Sequence, residues 1–172
     1  MEIELHPTVL LESGTFSVLV APPEMLVPRL NAVLRELERF LVLYVCGNYS
    51  RLLSRVHRSC RNLEIRRSFT AFQLLQILEE SHHTFVFIEY DPTLFSEERS
   101  LQRCLPRACR DVAHYGIVVI YAPEMDRYLR LLARDADRVF HLGVEPPQRS
   151  ERRSPAGRHT SPPPGQTTLE VS

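Results

Sequence analysis

The chain contains no lysine: all 21 of its strongly basic residues are arginines. Amine nucleophiles and Schiff-base chemistry are thereby excluded. Any contact with phosphate has to come from arginine or from backbone N–H groups. Long apolar runs are also missing, and nothing approaches the ~20 residues that a membrane-spanning helix requires. Met1 leads into Glu2 and Glu4 instead of a basic leader, so a soluble cytoplasmic protein without a membrane partner is expected. Cys46, Cys60, Cys104 and Cys109 form no C-x-x-C pair. Cys46 and Cys60 fall at apolar positions, which favours buried reduced thiols over zinc. The 21 arginines balance 21 acids, so no global field draws the chain to nucleic acid. What remains is 172 residues with 44% hydrophobic content, enough for one domain with its own core.

Apolar runs with strand character recur at 16–20, 40–46, 63–66, 84–89, 117–121 and 138–142. The strongest are almost continuously Val, Ile, Leu, Phe and Tyr, the mark of strands buried on both faces of a parallel sheet. Between them lie amphipathic helical patterns. Leu26, Leu30, Val33, Leu34 and Leu37 share one face, and Leu52, Leu53, Val56 and Cys60 another. Further helices are expected over 70–80, 97–114 and 124–134. This alternation predicts an α/β fold of three layers, a mostly parallel central sheet with helices on both faces. The α/β domain should span 1–145. From 146 to 172 the chain turns Pro-, Ser- and Arg-rich, and this tail is expected to be disordered because it cannot bury enough apolar surface to offset its ordering entropy.

The turn after the first strong strand is where a nucleotide-binding α/β domain carries its phosphate loop. That loop reads G-x-x-x-x-G-K-[ST]: glycines let N–H groups curl around phosphate, lysine reaches the terminal phosphates and the hydroxyl holds magnesium. Here it reads Ala21-Pro22-Pro23-Glu24-Met25-Leu26-Val27-Pro28. The glycines and the lysine are gone, and Glu24 puts negative charge where phosphate would approach.

Four stretches, in order, resemble the RecA/RadA recombinase superfamily, in particular its small archaeal RadB-type paralogues. Glu12-Ser13-Gly14-Thr15-Phe16-Ser17-Val18-Leu19-Val20-Ala21-Pro22-Pro23 looks like the approach to a Walker A loop. Arg66-Arg67-Ser68-Phe69-Thr70-Ala71-Phe72-Gln73-Leu74 resembles the segment that precedes the family's central helix. Phe85-Val86-Phe87-Ile88-Glu89 looks like a Walker B strand, and Ala136-Asp137-Arg138-Val139-Phe140-His141-Leu142 resembles the closing strand. The similarity covers about residues 10–145 and implies a RecA-like domain. On this alignment the missing lysine falls near Val27, the missing hydroxyl near Pro28, and the Walker B acid at Glu89. The degenerate nucleotide site is then Pro22, Pro23, Glu24, Arg29 and Glu89. The resemblance, stripped of its P-loop, implies a pseudo-ATPase without ATP hydrolysis or bound cofactor. Such a protein would be an interaction or accessory module in DNA recombination or repair, with a RecA-fold subunit or recombinase as partner. The alternative is a regulatory domain that binds a nucleotide or anion through arginine.

Three other features stand out. Arg51, Arg55 and Arg58 form a stripe at i, i+4 and i+7 on the expected second helix, continued by Arg61, Arg66 and Arg67. Guanidinium groups so spaced suit phosphates or partner carboxylates, including a weak DNA-backbone contact; the alternative is a solvated helix face. Aromatic interleaving for base stacking is thin, with Tyr49 the nearest candidate. Glu89, Tyr90 and Asp91 close the fourth strand, either as carboxylates for a divalent cation or as the turn that ends the strand. His82 and His83 are adjacent and point apart on an extended chain, so a shared metal is not expected. No Ser/His/Asp constellation or G-x-S-x-G elbow is present and no catalytic set converges, so an enzyme is not expected. The segment 1–11 carries Ile3, Leu5, Val9 and Leu10, as an edge strand of its own domain or one that joins a neighbour's sheet.

Overall fold

A computed structural model describes residues 1–57, 60–95 and 101–143 of the chain. The elements are β1 (Glu2–His6), β2 (Val9–Glu12), β3 (Thr15–Val20), α1 (Pro23–Glu36), β4 (Val42–Cys46), β5 (Leu63–Arg67), α2 (Ala71–Glu79), β6 (Phe85–Glu89), a 3-10 turn (Pro92–Phe95), α3 (Leu101–Ala113), β7 (Ile117–Ala122), α4 (Arg127–Ala133) and β8 (Arg138–His141). The last six strands form one parallel sheet in the order β5-β4-β6-β7-β3-β8. The α/β architecture with a parallel central sheet is therefore as the apolar runs imply.

Every residue of β4, β6 and β7 is buried, whereas β5 and β8 at the two edges are only partly covered. Alternate side chains feed two cores. Leu19, Tyr44, Phe87 and Tyr121 face α1 and the segment 52–60. Val18, Val45, Ile88 and Ile120 face α2, α3 and α4. Each fully buried side chain of this size contributes ~1.5–3 kcal/mol by leaving water. Asp137 pins the start of β3: its carboxylate accepts from Phe16 N at 2.8 Å, and its own N–H donates to Phe16 O at 2.9 Å.

The connections β3–α1–β4 and β4–β5 run one way across the sheet over the first core. The connections through α2, α3 and α4 return over the second. The neighbours β4 and β6 thus send their chains in opposite directions, and a crevice opens at their carboxyl ends, where such sheets place ligands.

The structure corrects three expectations. The N-terminal segment packs on its own domain but does not join the main sheet. β1 and β2 pair with each other as a separate antiparallel hairpin. Ile3, Leu5, Val9 and Leu11 alternate inward into the first core, which is what a period of two provides. Arg138 ties the hairpin down through Leu10 O and the Glu12 carboxylate.

The expected helix at 52–60 does not form over its described residues, although Leu52, Leu53, Val56 and Cys60 are all buried as the pattern required. Side chains from elsewhere take its backbone groups. Glu89 accepts from Arg51 N and Leu52 N, and Asn31 accepts from His57 N while donating to Arg55 O. A segment so satisfied needs no continuous i to i−4 ladder. Finally, α4 starts at Arg127 and not at 124, because Asp126 caps it by accepting from Leu129 N at 2.7 Å. The tail 146–172 lies outside the described residues.

Candidate functional site

Only Ala21 and Pro22 separate β3 from α1. Ala21 N donates to Ala122 O at 3.1 Å, and Ala21 O accepts from the Tyr121 hydroxyl at 3.0 Å. Pro22 O accepts from Met25 N and Leu26 N. Proline has no N–H to offer, so Pro22 and Pro23 contribute no donor, while Met25 N and Leu26 N are taken by Pro22 O. Gly143, at φ +64°, packs onto this turn so tightly that a Cβ there would lie 2.6 Å from Met25 Sδ. Val27 is buried, Pro28 is exposed on α1, and Arg29 points into solvent one turn further on. Glu24 is exposed and faces Arg55 at 3.5 Å. Of the residues expected to form a degenerate nucleotide site, Pro22, Pro23, Glu24 and Arg29 thus share the α1 entry but present no anion cradle.

Glu89 is elsewhere and fully engaged. Its side chain ends β6 with 7% exposure. One oxygen accepts from Arg51 N at 2.6 Å and Leu52 N at 3.3 Å; the other accepts from the Tyr44 hydroxyl at 2.6 Å and from the Ser50 hydroxyl. The carboxylate therefore closes the turn after β4 as a cap would close a helix. Burial, and then the Glu89 charge, push the Tyr44 phenol far above its ordinary range. The same two causes, in that order, raise the Cys46 thiol. Tyr121, beneath both turns, is pushed up to about 12, chiefly by burial and then by the charges of Glu89 and Glu24.

Asp91 is a turn residue: its carboxylate accepts from Thr93 N at 3.0 Å and the Thr93 hydroxyl at 2.7 Å. Gly47 lies so close that a Cβ would sit 2.2 Å from Asp91 Oδ2. Tyr90 donates to the Asp126 carboxylate. Among the described residues no group of three or more His, Cys, Asp or Glu is placed to hold a metal ion. A cavity of about 340 Å³ remains in the crevice, lined by Tyr49, Arg51, Asp91, Thr93 and Glu124 among others.

The arginine stripe is dispersed. Arg51 stands exposed at the rim of the crevice, Arg55 meets Glu24, and Arg61 is exposed before β5; Arg58 lies outside the described residues. Arg66 is neutralised by Glu64 at 2.5 Å and Glu80 at 3.1 Å. Arg67 donates to Asn48 O at 3.4 Å. Tyr49, the aromatic candidate of the sequence, is 85% exposed, and the structure adds two that the sequence reading missed: Phe69, 58% exposed beside Arg66 and Arg67, and Phe72, 60% exposed. The signal was available. Ala71, Leu74 and Leu78 define the inward face of α2, and Phe72 lies off it.

No helix among the described residues is long and apolar enough to cross a membrane. No family model matches the chain. A protein of Archaeoglobus fulgidus described as uncharacterized is 32% identical over 133 residues, which cover 77% of this chain and 67% of that protein. The chain belongs to the same family as this archaeal protein.

Proposed function

We propose that this protein is a pseudo-ATPase: a RecA-like module, non-catalytic towards nucleoside triphosphates, that acts by binding a partner in DNA recombination or repair. One observation carries the first half of this reading. Both elements that would handle magnesium-ATP are committed to other bonds, the β3–α1 turn to its own backbone and the Glu89 carboxylate to four donors. A carboxylate with its acceptor sites occupied has little capacity left for a cation or an attacking water. The second half rests on the resemblance to recombinases. The exposed Tyr49, Phe69 and Phe72 beside Arg67 suit a protein partner, since aromatic and arginine side chains dominate interface energetics.

Calorimetry with millimolar magnesium-ATP tests the first half: neither the wild type nor Arg29→Ala should release binding heat, and a micromolar Kd would overturn it. Co-purification of a RecA-fold subunit from the native source tests the second. A solitary monomer in that preparation would count against it.

A second reading, a regulatory domain that binds a nucleotide or anion through arginine, is favoured by Arg51. This guanidinium lines the crevice and has no ion-pair partner among the described residues. Nucleotide binding lost in Arg51→Ala, but kept in Arg29→Ala, would bring this reading to the front.

A further inference from the structure

At the opposite, amino-terminal edge of the sheet, three side chains that are not contiguous in sequence form a relay. The Ser81 hydroxyl lies 3.1 Å from His83 Nδ1, and His83 Nε2 lies 3.1 Å from Glu64 Oε2. The carboxylate can only accept, so Nε2 carries the hydrogen and the Nδ1 lone pair faces the serine O–H. Glu64 is held in turn: Arg66 Nε donates to its other oxygen at 2.5 Å, and this bond keeps the Glu64 carboxyl below its ordinary range. The imidazole is sheltered, with 13% exposure. Nucleophile, base and orienting acid at hydrogen-bond distance are the arrangement that activates a serine, and it is recognised by geometry and not by sequence order.

Two further observations give the relay somewhere to act. Ser81 lines a groove of about 500 Å³ between α2 and α3 whose walls include the apolar Leu75, Leu78 and Val112 and the charged Glu79, Arg107 and Asp111; His83 reaches it through Ser81 and is not itself in the lining. Beside it, the His82 N–H has no acceptor among the described residues. The amide that follows a nucleophilic serine is the donor that many acyl-transfer sites aim at the developing oxyanion.

We propose that Ser81, His83 and Glu64 form a serine-hydrolase site for a small carboxylic ester with an apolar acyl chain, independent of the nucleotide crevice. Ser81 Oγ bonds to the ester carbonyl carbon as its proton passes to His83 Nδ1. The carbon–oxygen bond to the alcohol breaks, and the alcohol leaves with that proton. Water then attacks the acyl-serine, giving its proton to His83, and the carboxylic acid departs as the proton returns to Ser81. The acyl chain lies along Leu75, Leu78 and Val112. Ser81 and His83 are catalytic residues, and Glu64 is a positioning residue that sets the tautomer.

The full chain is treated with a fluorophosphonate, and the adduct is mapped by mass spectrometry alongside p-nitrophenyl butyrate hydrolysis. Wild type should carry the adduct on Ser81, and Ser81→Ala should lose both adduct and turnover while its melting curve shifts little, since the turn bond it removes, from His83 N to Ser81 Oγ, is long at 3.4 Å. Glu64→Gln should lower kcat about 10²–10⁴-fold with KM unaltered, since loss of the orienting acid misplaces the tautomer; a purely structural Glu64 would move the melting curve and not kcat. No adduct on Ser81 in the wild type, or a Ser81→Ala protein as active as wild type, overturns the proposal. Neither outcome bears on magnesium-ATP binding, so the two readings fail separately.

Discussion

Two turns leave the carboxyl edge of the same sheet, and they are closed by opposite means. After β3, the chain enters α1 through Ala21 and Pro22 alone, and the junction is satisfied by backbone and by a tyrosine hydroxyl. After β4, a longer excursion folds over a buried carboxylate with four donors on it. The first turn is short and carries two prolines that offer no N–H. The second engages its acid with four hydrogen-bond donors. The two closures differ in energy: the β3 junction is held by backbone bonds and one tyrosine hydroxyl, while the β4 turn is gathered on the Glu89 carboxylate.

The largest test of that contrast is Glu89→Ala. It strands Tyr44 Oη, Ser50 Oγ and two amides at once, and should cost about 3–5 kcal/mol in chemical denaturation. Pro22→Ala in the other turn should cost at most ~1 kcal/mol, mainly by loosening the unfolded chain. Comparable losses in the two turns would erase the distinction.

High pH sharpens it next. The phenols of Tyr44, Tyr90 and Tyr121 are all raised by burial first, Tyr121 to about 12. In the unfolded chain a tyrosine ionises near ~10. A group whose folded value is raised contributes stability that is fully present below the unfolded value and lost as pH rises through the folded one. The protein should accordingly hold its stability to about pH 10 and lose it steeply towards pH 12. Phenolate absorbance from these three rings should then appear together with unfolding. Phenolate that develops while circular dichroism is still native would show them to be accessible.

Tyr44→Phe removes one donor of the four while keeping the ring stacked on Phe87. A loss of about 1–2 kcal/mol is expected, smaller than Glu89→Ala because the carboxylate keeps three partners. Smallest of all is the bridge between the two turns. Glu24 and Arg55 meet at 3.5 Å with both side chains well exposed, so Arg55→Ala should change stability by about 0.5 kcal/mol or less. A larger effect would mean that the turns are coupled through this pair.

Much of this arrangement could be read from residue order. Continuous apolar runs identify β4, β6 and β7 as buried strands, and the three-to-four spacing of Leu26, Leu30 and Leu34 identifies the inward face of α1. The absent glycines and lysine at 21–28 exclude a conventional phosphate loop before any coordinate is seen. The helix at 52–60 was misread for a physical reason. Apolar spacing reports which side chains are buried, and those were correct; it does not report who satisfies the backbone. Here Glu89 and Asn31, distant in sequence, do so. The same limit hides the state of Glu89 itself, since a carboxylate at a strand end looks alike whether it is open to a ligand or fully bonded.

The chain by itself determined its layers, its buried strands and the absence of a G-x-x-x-x-G-K-[ST] loop at 21–28, because these follow from hydrophobic period and from residue chemistry at single positions. Only the tertiary structure decided that Glu89 is engaged, that the arginine stripe is scattered, that the N-terminal strands pair with each other, and that Ser81, His83 and Glu64 meet. The engagement of Glu89 and the meeting of His83 with Glu64 depend on segments whose approach is set by the crossovers of the sheet. A local pattern carries no record of a partner 19 to 45 residues away.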